Sequence, residues 1–278
     1  TKFNISPLLI GVTIVSIGTS APELIVSLQA TIEGNPGIAI GNIIGSNIAN
    51  IGLVLGLTVS IRPVFVNRKK YFTSWLAMLI SSLMFFGFSM DGVIGQVEGL
   101  FFVAGLLAFI SISISFIRDD LKRNDSPLSN INPFKILIFF IGGATGLYFG
   151  SELLISNAVN IAKELGVSEF IIGVSIVALG TSLPELTTSL VASYRGQNSI
   201  SIGNLLGSNV FNIFAVLGIT SLVKPIPVDF FLLYVDLPIM IGFVFLVGMF
   251  MFIGKKMGRI EGIALIIAYL SYITYSFL

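Results

Sequence analysis

The sequence contains no cysteine and no histidine, and charged residues make up only 10% of it. Without Cys or His the chain cannot build the nitrogen- and sulfur-rich sites that hold zinc, copper or haem iron. A metal ion bound here is therefore a hard cation held by oxygen, and no cofactor is expected. The absence of cysteine also removes any disulfide framework and any reading of redox compartment. A soluble domain carries about 25% charged residues, so this chain has too few to cover a water-facing surface. A net charge of +1 leaves no basic face for nucleic acid. No cleavable signal peptide is visible, and the first residue is Thr1, not Met.

Apolar residues fill the space that the charges leave. They make up 55% of the chain, with a mean hydropathy of +0.99. Runs of roughly twenty residues, long enough to cross a hydrocarbon core, recur from end to end. Nine candidate spans lie near residues 8–31, 37–60, 71–89, 97–117, 134–161, 169–193, 199–222, 230–253 and 260–277. A soluble protein with buried helices would need long polar faces, and none is found. The expected class is an all-α membrane protein whose partner is the lipid bilayer. One polar stretch, Arg118 to Asn132, reads as a solvated loop.

A duplication organises the chain. Residues 10–27 (IGVTIVSIGTSAPELIVS) match 172–189 (IGVSIVALGTSLPELTTS), and 41–56 (GNIIGSNIANIGLVLG) match 203–218 (GNLLGSNVFNIFAVLG). Both matches share an offset of 162 residues, which also superposes Arg62-Pro63 on Lys224-Pro225. GQVEG at 95–99 matches GRIEG at 258–262 with one residue of slippage. The halves are then residues 1–117 and 133–278, joined by the linker 118–132.

Counting Lys and Arg on alternate sides of nine spans sets thirteen on one side against Lys163 and Lys224 on the other. The rich side is expected to be cytoplasmic, with the C-terminus outside and the protein multi-pass in the cell membrane. The two halves then run in opposite directions, as inverted repeats. The span at 134–161 has no counterpart in the first half, so a symmetric bundle would hold ten helices. The expectation is nine visible helices, with the first of ten missing.

The chemistry gathers where the repeats agree best, at Gly18-Thr19-Ser20-Ala21-Pro22-Glu23 and Gly180-Thr181-Ser182-Leu183-Pro184-Glu185. Proline within a helix has no N–H and clashes with the carbonyl four residues back. Carbonyls freed in a membrane persist only where they line a cavity or bind something. Thr19 and Glu23, spaced by four, are expected on one helix face, as are Thr181 and Glu185. Carbonyl, hydroxyl and carboxylate oxygens suit Na⁺ and Ca²⁺. Asn42, Ser46 and Asn50 add a second stripe, with Asn204, Ser208 and Asn212 as twins, and Gly41/Gly45 and Gly203/Gly207 allow close helix approach. A carboxylate at this depth costs at least about 2.5–3.5 kcal/mol. No Lys or Arg lies at that depth in the four helices, so the counter-charge is expected to be a bound cation or a proton. A single Glu in an apolar span can snorkel or sit protonated. Two in matching Pro-kinked contexts argue for a site, and inverted repeats with broken helices are the plan of secondary transporters. The Gly and Asn positions also serve helix packing. Glu152 and Asp236 lack twins and read as interface groups, and Trp75 as part of the interfacial belt.

On these motifs the chain resembles the cation/calcium antiporter superfamily and its sodium/calcium exchanger branch, over nearly its whole length. The GTSxPE form is similar to that branch and unlike the proton/calcium one. The resemblance implies exchange of Na⁺ for Ca²⁺ by alternating access, with Glu23 and Glu185 as central Ca²⁺ ligands and the carbonyls of Thr19 and Thr181 beside them. It implies Na⁺ held by Ser20, Ser182, Ser46 and Ser208 with the carbonyls of Ser16 and Ala178, and Asn50 and Asn212 completing the site. Some members, including potassium-dependent ones, have Asp where this chain has Asn212; two acidic ligands argue against potassium dependence. A proton-coupled or broader divalent-cation antiporter is the alternative on the same scaffold. Two rivals come from other classes. An intramembrane hydrolase would use the glutamates as an acid/base pair, but the chain offers it no nucleophile context. A passive channel would show no counter-ion dependence. Oligomeric state is not legible.

Overall fold

The structure is a computed structural model; it describes residues 7–121 and 164–277 except Lys255, with scattered positions between 142 and 160. Most of the apolar run at 134–161, most of the linker, and Glu152, Lys2 and Lys163 therefore lie outside the described residues. The described residues are mostly helical, with four short strands and the turns that join them.

The first half holds α1 (residues 7–19), α2 (Ala21–Ile32), α3 (Pro36–Ile61), β1 (Val64–Phe65), α4 (Arg68–Phe88), β2 (Val93–Ile94) and α5 (Gln96–Leu121). The second holds α6 (residues 169–181), α7 (Leu183–Tyr194), α8 (Asn198–Val223), β3 (Ile226–Pro227), α9 (Leu232–Ile253), β4 (Lys256–Met257) and α10 (Arg259–Ser276). Among the described residues six helices are long and apolar enough to cross a membrane, or seven if α1 and α2, bent by 44°, form one span. The ninth predicted run does form a helix, α10. It is not among the six, because Arg259 and Glu261 in its first turn and several tyrosines lower its hydropathy.

Glycine sets how the core helices meet. α2 turns back into α3 through Gly34, and α7 into α8 through its twin Gly196, both at positive φ that side-chain-bearing residues rarely adopt (88° and 78°). Asn42 of α3 lies against Glu23 and Ser27 of α2, as an antiparallel hairpin requires. α3 then packs on the other half. A Cβ on Gly41 would stand 2.6 Å from the Phe170 carbonyl oxygen, and Gly45, one turn on, meets Val174. Gly203 and Gly207 of α8 meet Leu8 and Val12 of α1 in the same order. Contacts that advance together along both helices mean that α3 runs parallel to α6, and α8 parallel to α1.

The short strands were not expected. β1 pairs antiparallel with β4 (Val64 opposite Met257), and β2 with β3 (Ile94 opposite Ile226). Each pair ties the end of a core helix in one half to a peripheral helix of the other, satisfying backbone groups where helices stop. Trp75, near the start of α4, donates its indole N–H to the Val244 carbonyl at 3.0 Å and packs its ring against Phe72 and Phe252, so it joins α4 to α9.

Candidate cation site

Both proline motifs break their helices at the serine. Ser20 (φ −86°, ψ 6°) separates α1 from α2, and Ser182 (φ −80°, ψ 0°) separates α6 from α7. The bend exceeds 40° only in the first half; α6 and α7 pass as one span. The bonds that bridge each break are Ser20 N–H to Ser16 O (2.9 Å) and Leu24 N–H to Ser20 O (3.2 Å), and their twins Ser182 to Ala178 and Leu186 to Ser182 (both 3.0 Å). None of them goes to the carbonyl of Thr19 or Thr181, which remain available as oxygen ligands.

The first helix bends by 44° between Thr19 and Glu23. Each threonine faces the opposite half. Thr19 Oγ1 donates to Asn204 Oδ1 at 3.2 Å and lies 3.4 Å from Ser208 Oγ. Thr181 Oγ1 donates to Asn42 Oδ1 at 3.0 Å and lies 3.4 Å from Ser46 Oγ. Asn42 is held in turn by donating to Ser27 Oγ (2.9 Å), and Asn204 to Ser189 Oγ (3.2 Å). Ser27 and Ser189 were missed in the sequence, although each stands four residues after its glutamate, on the same face.

Glu23 and Glu185 are wholly buried, as are Ser16, Ser20, Ser46, Ser208, Asn50 and Asn212. The two carboxylates are close enough to repel each other. They are not equivalent. Glu185 Oε1 accepts hydrogen bonds from Ser20 Oγ (3.0 Å) and Ser208 Oγ (3.1 Å), both from helices other than its own. Glu23 receives neither twin bond: Thr181 is near enough to interact, but no hydrogen bond of ordinary geometry reaches either Glu23 oxygen.

Asn50 and Asn212 each open a π-helical turn, Asn50–Leu55 and Asn212–Leu217. Such turns often mark functional positions because they displace backbone from the regular ladder. The turn after Asn50 packs against α7, which carries Glu185, and the turn after Asn212 against α2, which carries Glu23. Neither asparagine side chain has a partner. With both oxygens of Glu23, Glu185 Oε2 and Ser182 Oγ, that leaves six buried side-chain oxygens unpartnered in the site. Each orphan costs about 1–3 kcal/mol, more when charged. Ser16 and Ala178 fit less directly. Their carbonyls already accept the bridging N–H, with Thr19 and Thr181 hydroxyls in range at 3.4 and 3.3 Å.

Among the described residues no group of three or more Asp, Glu, His or Cys occurs. The donors are two carboxylates and otherwise neutral oxygens, a set for a hard cation.

The model of the family described as sodium/calcium exchanger protein matches residues 1–115 and 135–278. The chain belongs to the sodium/calcium exchanger family. Relatives extend the likeness. The sodium/calcium exchanger MaX1 of Methanosarcina acetivorans is 29% identical over 99% of this chain and 90% of its own. The inner membrane protein YrbG of Escherichia coli is 34% identical over 82% and 73%. Among solved structures, the sodium-calcium exchanger NCX_Mj soaked with 100 mM Na⁺ and 10 mM Sr²⁺ superposes with a TM-score of 0.81, at 34% identity, over 98% of this chain and 88% of that one. Exchanger-family membership makes this chain a multi-pass membrane transporter and not an enzyme.

Proposed function

We propose that this protein exchanges Na⁺ for Ca²⁺ across the membrane by alternating access. The observation that carries the proposal is the set of unpartnered oxygens around Glu23 and Glu185, drawn from both halves of the chain. Two buried carboxylates without a basic partner need a bound cation. One Ca²⁺ neutralises both, and so do two or more Na⁺ at overlapping oxygens, so that each ion excludes the other.

The residue roles follow from the donors. Ca²⁺ is held by Glu23, Glu185 and the free carbonyls of Thr19 and Thr181. Na⁺ is held by Ser20, Ser182, Ser46 and Ser208, with the carbonyls of Ser16 and Ala178 recruited once their hydroxyl donors turn away. Asn50 and Asn212 close the middle. A carboxylate at either asparagine is absent, which supports independence from K⁺.

The halves are inverted repeats. The support is directional: α3 is antiparallel to α2 and parallel to α6, so α6 and α7 oppose α1 and α2. Orientation is supported by where charge collects. Arg62 caps the Ser193 and Tyr194 carbonyls, Arg68 reaches Ile253, and β4 carries Lys256 beside β1, all at one end, which is read as cytoplasmic. Because every ligand set combines both repeats, tilting one repeat against the other opens the site to one side while closing it to the other.

The test is uptake of labelled Ca²⁺ into proteoliposomes loaded with Na⁺ and diluted into choline. Uptake driven by the outward Na⁺ gradient is expected. Uptake that ignores Na⁺ and follows an imposed pH gradient instead would establish the proton-coupled alternative.

A further inference from the structure

Asp236 is a second kind of buried acid, outside the paired-glutamate site. It ends the π turn Leu232–Asp236 that opens α9 and is 1% exposed. Its Oδ1 accepts a hydrogen bond from the Tyr272 hydroxyl at 2.9 Å. Its Oδ2 has no partner, and neither has the hydroxyl of Tyr269, a 3% exposed residue three positions before Tyr272 and so on the same face of α10. Tyr269 rests on Gly52: a Cβ there would lie 2.7 Å from the Tyr269 Cβ. Gly52 belongs to the π turn that Asn50 opens, so the cluster adjoins the wall of the cation site without being part of it.

No base faces this acid among the described residues. The charged group that acts on it is Asp229, of the same sign, in the segment before α9. α10 contributes Tyr269 and Tyr272, its Arg259 and Glu261 being at the far end. Arg68 of α4 meets α9 at its opposite end, Ile253. The first repeat has nothing comparable. With the offset of 163 set by GQVEG and GRIEG, Tyr269 and Tyr272 correspond to Leu106 and Phe109. An unpaired charged carboxylate in such apolar surroundings is expensive, so the group needs something that neutralises it. One carboxylate and two phenols balance a single positive charge and supply too few oxygens for a divalent ion.

We propose that Asp236, Tyr269 and Tyr272 form a second cation site that takes one monovalent cation, a proton or Na⁺, separately from the Glu23–Glu185 site. This does not depend on the antiport reading.

Infrared difference spectroscopy of the purified protein in nanodiscs tests it, in a Glu23→Gln/Glu185→Gln background that silences the paired glutamates. Spectra are taken across pH with choline chloride and then with NaCl. A protonated-carboxyl band that Asp236→Asn removes, and that disappears as pH rises, identifies the proton. Loss of that band on adding NaCl at fixed pH identifies Na⁺ as the competing occupant. Tyr272→Phe should keep the band and move its midpoint by about one pH unit, the size of one hydrogen bond to a charged group. A spectrum that Asp236→Asn leaves unchanged, or a band that responds to neither pH nor Na⁺, overturns the proposal. Should the double variant not fold, the same difference between wild type and Asp236→Asn decides the matter.

Discussion

At the scale of single residues, the site is a set of crossed pairs. Thr19 bonds Asn204, Thr181 bonds Asn42, and Ser20 reaches Glu185. Residue types and their duplication were legible in the sequence, because oxygen-bearing side chains recur at one offset against an apolar background. Who meets whom was not, because spacing places residues along one helix and does not say which helix of the other repeat packs against it. The asparagines give the residue-scale prediction. Asn212→Asp adds a third carboxylate to a site with two, and a more negative oxygen site favours divalent ions. Ca²⁺ is expected to bind more tightly and leave more slowly, and the twin Asn50→Asp should act in the same direction. Measuring Na⁺ inhibition of Ca²⁺ binding checks this. Curves identical to wild type for both variants would assign the asparagines to helix packing alone.

Among the elements, helix existence and extent were readable from apolar runs: α3, α8 and α9 begin and end within a few residues of expectation. The π turns were not. A one-residue backbone insertion leaves no mark on hydropathy, and nothing in the residue pattern was read as pointing to it. The two-residue strands escaped for a similar reason, since pairing between distant loop ends has no period. Glycine did carry legible packing information, and it yields a prediction. A Cβ on Gly207 would lie 2.6 Å from the Val12 carbonyl oxygen, whereas nothing lies within 4 Å of one on Gly87. Gly207→Val should destabilise the bundle by about 1–3 kcal/mol, the usual cost of overpacking. Gly87→Ala should be close to neutral. Thermal unfolding in detergent separates them, and equal stability of the two variants would mean that α1 and α8 are not in close contact.

For the whole molecule, the proposed orientation rests on charge asymmetry, while helix packing bears only on how the two halves run relative to each other. The absence of cysteine makes the orientation easy to examine, since any introduced thiol is the only one. Lys224→Cys and Lys256→Cys lie at opposite ends of the bundle, both exposed. A membrane-impermeant maleimide applied to intact cells should label the first and reach the second only after lysis; the reverse pattern would invert the topology. The central claim, that the two glutamates of opposed repeats share one cation, is met most directly by calorimetric titration of Ca²⁺ into the purified protein. Wild type is expected to bind one Ca²⁺ at this shared site, with affinity that falls as NaCl replaces choline chloride. Glu23→Gln and Glu185→Gln, each folded as judged by unfolding, should each weaken binding by about 100-fold or more, as loss of one member of a buried charged set does. Ca²⁺ binding that survives either change at near wild-type affinity, or that ignores Na⁺, would contradict a shared site.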